Sequence, residues 1–155
     1  MTDPIAVVHA ILADPTNLDH VRGLTTPDVK YVSLNDDNAE LHAVMPWSGP
    51  GQGAEAIVRA FVLVRRAWDT VRFEAEQVFA SEGNVALFGH FTYQSTAMRK
   101  TITSPFAIRA EVTDGKVSFM QFMEDTFGTA ASFRSGGNWR FRTFPDGDEV
   151  SVGDQ

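Results

Sequence analysis

The spacing of hydrophobic residues changes once along this chain, near residue 70, and that change constrains the fold more than any other feature. Before it, apolar side chains recur at helical intervals. After it they alternate, in runs that follow one another almost to the end. Helices first and consecutive strands afterwards predict an α+β domain, because a parallel α/β fold interleaves the two.

In the first part, Asp3 is placed to cap a helix that opens on Pro4, carries Ile5, Val8, Ile11 and Leu12 on one stripe, and stops at Asp14-Pro15. A short second helix is expected from a Thr16 cap to a break near Gly23. VKYVSLN, β-branched and aromatic, reads as a strand, and NDDNAELHAVMPWSGPGQG as mostly loop. AEAIVRAFVLVRRAW returns to helical period, with Ile57, Phe61, Val64 and Trp68 on one stripe and Arg59, Arg65 and Arg66 off it.

In the second part, TVRFEAEQVFA sets Val71, Phe73 and Ala75 against Arg72, Glu74 and Glu76. VALFGHFTYQSTAM, TITSPFAIRAEV and VSFMQFMED follow, with a strong hairpin signal at Thr113-Asp114-Gly115-Lys116. Short turns make the sheet mostly antiparallel. Such a sheet with one wet face alternates apolar and polar residues cleanly. Here Val85, Leu87, Phe91 and Tyr93 share one face, and Ala86, Phe88, His90, Thr92 and Gln94 the other. Likewise Val117, Phe119 and Met123 oppose Ser118, Met120, Phe122 and Glu124. Both faces are therefore expected to be dry, with helices on one side and a ligand cavity or a second subunit on the other.

A chain of 155 residues makes one domain and buries a core without staples. It contains no Cys, which removes thiol chemistry, zinc–thiolate sites and disulfides together. Thirteen basic against twenty acidic residues, a net charge of −7, argue against nucleic acid and anionic membrane as partners. No apolar run approaches the roughly twenty residues of a membrane span, and the N-terminus reads as a helix rather than a leader, so a cytoplasmic protein is expected. The domain is assigned to residues 1–134. Residues 135–155 form an extension in which Gly136-Gly137 releases NWRFRTF toward a turn at Pro145-Asp146-Gly147-Asp148, as a terminal hairpin or an arm reaching a partner subunit.

Three stretches, in this order, carry a family resemblance: MPWSGPGQGAEAIVRAF, ITSPFAIRAEVTDGKVSFMQFMED and DTFGTAASFR. The chain resembles the nuclear-transport-factor-two-like superfamily, in its SnoaL-like, ketosteroid-isomerase-like branch, over roughly residues 3 to 134. The resemblance implies a cone-shaped α+β barrel, a strongly bent sheet wrapped around a long helix to leave a hydrophobic pocket with an open mouth. It also implies a homodimer packed sheet to sheet and, in the catalytic members, acid–base chemistry without metal or cofactor. Other members only bind or dimerise, so the fold alone does not fix a function. Where the isomerases place an Asp base, near the end of the first long strand, this chain reads Ser33-Leu34-Asn35. Where the limonene-epoxide-hydrolase type needs an acid in the last strand, Phe122 stands. Neither of those two activities is expected.

The candidate catalytic residues are Glu124 and His90. Glu124 shares a face with Met120 and Phe122, and in an apolar pocket desolvation would raise its pKa toward neutrality, as suits a general acid or base. Its bland alternative is a strand-end charge in water. His90 is placed to shuttle a proton or to polarise a carbonyl oxygen across a small substrate from Glu124, about 10 Å away on the next strand but one, or else it is a satisfied core or interface group. Asp125 is better explained as the cap of a following short helix. Tyr31, Trp47, Phe61, Phe88, Thr92, Met120 and Phe122 are expected to line the pocket, with Tyr93 a further hydroxyl donor, although core packing is the better explanation of Tyr31, Tyr93 and Trp47. NDDNAELH lacks the spacing of a calcium loop and GPGQG lacks the Lys of a phosphate loop, so no metal and no cofactor are assigned. Two functions stay open: an isomerase, lyase or cyclase acting on a small apolar carbonyl compound, or a non-catalytic ligand-binding or dimerisation module.

Overall fold

The computed structural model describes residues 2–153. Helices α1 (Pro4–Ala13) and α2 (Leu18–Leu24) lead into strand β1 (Thr25–Ser33), short helix α3 (Ala39–Val44) and strand β2 (Gly49–Gln52). The long helix α4 (Ala54–Ala67) runs directly into β3 (Trp68–Ser81), followed by β4 (Asn84–Ser95), β5 (Thr101–Thr113) and β6 (Lys116–Glu124). Helix α5 (Thr126–Ala130), a 3-10 turn (Ala131–Phe133) and a separate hairpin of β7 (Asn138–Phe141) and β8 (Val150–Gly153) complete the chain. The main sheet has the order β2-β1-β6-β5-β4-β3, antiparallel except for the parallel β1–β6 pair. Among the described residues no helix is long and apolar enough to cross a membrane.

The helices form where capping and spacing favour them. Asp3 Oδ1 accepts the Ile5 N–H at 3.0 Å, and Val7, Val8 and Ile11 give α1 its buried face. The cap of α2 is Asn17 rather than Thr16, because Asn17 Oδ1 is the atom that reaches the His20 N–H at 3.2 Å. Gly23 does not break that helix, which continues to Leu24. The stretch read as loop holds two ordered pieces. Asn38 Oδ1 caps α3 through the Leu41 N–H at 2.9 Å, and Gly49–Gln52 pairs with β1.

Helix α4 lays Ile57, Ala60, Phe61 and Val64 on the inner face of the sheet, and Arg59, Arg65 and Arg66 stay exposed. The inner face supplies Val85, Leu87, Phe91, Phe106, Ile108, Ala110, Met120 and Phe122 to one core cluster. Each large apolar side chain fully buried there contributes about 1.5–3 kcal/mol.

Two devices bend the sheet. Register shifts in β3 between Thr70 and Arg72 and between Ala75 and Gln77 mark bulges. Gly89 in β4 lets the chain pass close beneath its neighbours: a Cβ there would lie 2.7 Å from the Phe106 ring and far too near the Glu74 carbonyl oxygen. The first bulge turns Val71 outward to 64% exposure, so Val71 does not share a face with Phe73 as simple alternation predicts. An irregularity where Val112 pairs with Val117 and Glu111 with Phe119 does the same in β6: Val117 is fully buried, whereas Phe119 lies on the outer face beneath Arg109.

The outer face of the sheet is mixed. Phe79 and Phe88 stand exposed and edge to face there, at 6.4 Å, beside the Arg72–Glu74 ion pair and the His90–Glu76 hydrogen bond. The terminal hairpin packs on its own chain, with Trp139 5.4 Å and Phe141 6.2 Å from the Phe127 ring of α5.

Candidate active site

Glu124 is the last residue of β6 and lies opposite Phe106 of β5, on the inner face with Phe122 and Met120. Strand geometry therefore points its carboxyl into the space between sheet and α4. There it joins Tyr31 and Ser33 of β1, Phe61 of α4, Trp68 of β3, Tyr93 of β4 and Trp47 of the α3–β2 connection around a chamber of about 20 Å³. That is room for about one water-sized group. The chamber shares Tyr31, Trp47 and Ala60 with a wider vestibule of about 360 Å³, lined by Asn35–Asn38, His42, Ser48 and Arg59 among others. A polar outer pocket and an aromatic inner room thus share these three walls.

The inner room holds a carboxyl in an unusual state. Glu124 as a residue is partly buried, but its Oε2 is shut from solvent and has no hydrogen-bond partner. Burial pushes the carboxyl up to about 7; a hydrogen bond from the Thr129 hydroxyl pulls it back, and the neighbouring Asp125 carboxylate adds to the rise. Tyr31 and Tyr93 are also raised above the ordinary phenol range, first by burial and further by the charge of Glu124, with the Ser33 hydrogen bond opposing the shift in Tyr31. Both phenols therefore remain neutral donors.

Two indoles meet at 5.1 Å with different roles. Trp68 Nε1 donates to Ser132 Oγ at 2.8 Å, and Ser132 donates to the Thr129 carbonyl at 2.8 Å, which pins β3 to the segment after Glu124. Trp47, 7% exposed, has a buried Nε1 with no partner. Asp125 caps α5, its Oδ1 accepting the Gly128 N–H at 3.0 Å.

Of the residues singled out in the sequence, the structure brings Glu124, Tyr31, Trp47, Phe61, Phe122 and Tyr93 together. Met120 is on the same face but fully buried in the core below the chamber. His90, Phe88 and Thr92 are on the opposite side of the sheet. His90 Nδ1 is 2.8 Å from Glu76 Oε1, Phe88 is 45% exposed, and Thr92 Oγ1 is 2.8 Å from Thr103 Oγ1. The expected pairing of His90 with Glu124 across one pocket is thereby corrected. Strand β4 buries its larger aromatic set, Phe91 and Tyr93, and the intervening residues must then face outward. Trp68 and Ser33 line the chamber without having been singled out for it, since Trp68 reads as the end of a helical stripe. Among the described residues no group of His, Asp and Glu is arranged to hold a metal ion.

The model of the SnoaL-like domain matches residues 8–120. The chain is 39% identical over 138 residues to patulin synthesis protein F of Aspergillus clavatus, covering 86% of this chain and 70% of that protein. Among solved structures it is similar to an NTF2-like protein from Burkholderia thailandensis E264, with a TM-score of 0.72 and 20% identity over 86% of this chain and 99% of that one. It is also similar to TerC co-crystallised with polyporic acid, with a TM-score of 0.67 and 19% identity over 81% and 94% of the two chains.

Proposed function

The chain belongs to the SnoaL-like domain family, and from that premise we propose that it is an acid–base enzyme of a secondary-metabolite pathway, an isomerase, lyase or cyclase that needs no cofactor. The observation that carries this reading is Glu124, a carboxyl near pKa 7 with a buried, unpartnered oxygen in an aromatic chamber. At neutral pH such a group is divided between its two protonation states, the condition under which it both takes and returns a proton. Its carboxylate removes a proton from the carbon beside a substrate carbonyl, and the C–H electron pair moves into the enolate. The same carboxylic acid then returns the proton to another atom. The Trp47 N–H and the Tyr31 and Tyr93 hydroxyls are the donors available to the enolate oxygen, a role in which one donor is worth about 3–4 kcal/mol.

The size of the inner chamber favours a second reading, a binding or dimerisation module of the same fold, because that space admits only the tip of a ligand. On either reading we propose a homodimer through the outer face of the sheet, supported by the exposed Phe79 and Phe88.

Deuterium uptake from solvent into a panel of enolisable cyclic ketones, followed by NMR, tests the catalytic reading. The wild type should accelerate exchange and Glu124→Gln should lose at least about a hundredfold of that rate. Equal exchange by the two proteins would refute it.

A further inference from the structure

We propose, resting on this role for Glu124, that the substrate is a neutral carbonyl compound bearing hydroxyl groups and that it enters carbonyl first. The inner chamber has space for about one oxygen-sized group, so only one end of a ligand reaches Glu124. Trp47 determines what that end is. An indole N–H only donates, and a buried donor left unpaired costs about 1–3 kcal/mol, which an acceptor brought in by the ligand recovers. The adjacent Trp68 shows the contrast: its N–H is already answered by Ser132. A carbonyl oxygen meets the requirement at Trp47, whereas a methyl or a second N–H does not.

The vestibule determines the rest of the molecule. The Oδ1 atoms of Asn35 and Asn38 are already used by the loop itself, accepting the N–H groups of Asp37 at 3.0 Å and Leu41 at 2.9 Å. His42 Nδ1 is tied to the Ser48 carbonyl at 2.8 Å. The Asp36 and Asp37 carboxylates take part in none of the described ion pairs. Carboxylates only accept, so their complement is a donor, and on a neutral ligand that means hydroxyl groups. Two carboxylates against the single Arg59 guanidinium leave the lining with a net charge of 1 − 2 = −1. A carboxylate or phosphate on the ligand is therefore repelled. The small apolar carbonyl compound expected from the sequence suits the inner walls but leaves this polar antechamber unanswered.

Calorimetric titration with three related compounds tests the assignment: cyclohex-2-enone, its 4-hydroxy derivative, and the analogue with a carboxylate at the same position. The hydroxy-enone should bind at least about tenfold more tightly than the parent, and the carboxylate more weakly than the parent. An Asp36→Ala, Asp37→Ala double variant should bring hydroxy-enone and parent to within about twofold of each other. Trp47→Phe, which keeps the ring but loses the donor, should weaken both neutral enones by roughly tenfold. Equal binding of parent and hydroxy-enone, preference for the carboxylate, or no binding of the hydroxy-enone overturns the proposal. Titration involves no turnover, so the two readings fail separately. Hydroxyl-selective binding without Glu124-dependent exchange sinks the catalytic role alone, and Glu124-dependent exchange without selectivity sinks the substrate class alone.

Discussion

His90 and Glu124 stand on opposite faces of one sheet, although a single strand separates them. The register fixes this: Gly89, the neighbour of His90, lies opposite Phe106, and Phe106 lies opposite Glu124. Opposed residues share a face, so Gly89 and Glu124 look inward and His90 looks outward. Any proton that His90 handles belongs to its contact with Glu76 and not to the chamber.

Stability should depend on pH through Glu124, with a definite sign. The folded carboxyl sits near 7 and the ordinary value is 4.5. Between these limits the unfolded chain releases a proton that the folded chain keeps, so raising the pH destabilises the native state. Wild type and Glu124→Gln should have similar stability near pH 4. At pH 8 the variant should be more stable, by as much as about 3 kcal/mol. Urea denaturation at several pH values measures the gap, and a gap that stays constant contradicts the buried ionisation.

Asp125 does two jobs that substitution separates. Asparagine can still cap α5 but carries no charge, whereas alanine does neither. Asp125→Asn should lower the pKa of Glu124 while leaving thermal stability nearly unchanged. Asp125→Ala should lower that pKa too and also cost about 1 kcal/mol of stability. A pH-dependent carboxyl signal for Glu124 by NMR, together with thermal melts, distinguishes the two effects.

The outer face supplies the oligomer test. A chain of 17.1 kDa should run at twice that mass by light scattering at micromolar concentration if the sheets pair. Phe88→Glu places a charge where Phe79 and Phe88 now meet, and should return the protein to single-chain mass with the fold intact by circular dichroism. An unchanged mass for the variant would exclude this face as the contact.

Much of the architecture was legible because it rests on local rules. Asp3-Pro4 marks the start of α1, the apolar stripe marks α4, and the turn residues at Asp114-Gly115 mark the β5–β6 hairpin. Asp125 as a cap was readable for the same reason. Helix α3 was hidden because six residues with none buried leave no periodic signal. Alternation sorts each strand into two sets but does not say which set faces inward. Only pairing between distant strands does that, and it turned His90, Phe88 and Thr92 outward. Bulges shift the phase without any residue that announces them, as at Val71. The role of Trp47 was invisible for another reason: it depends on the lack of a partner, which only three-dimensional packing reveals.

Strand β3 forms one border of the main sheet and, at fourteen residues, offers a long row of unsatisfied backbone groups to any passing extended segment. The displaced residues at Val71 and Glu76 cut that row into short pieces, and Arg72, Glu74 and Glu76 set charges along it. An intruding peptide would lose step after a few residues and meet charge at the seam. The same irregularities that curl the sheet into a cup thus guard its open rim against fibrillar growth.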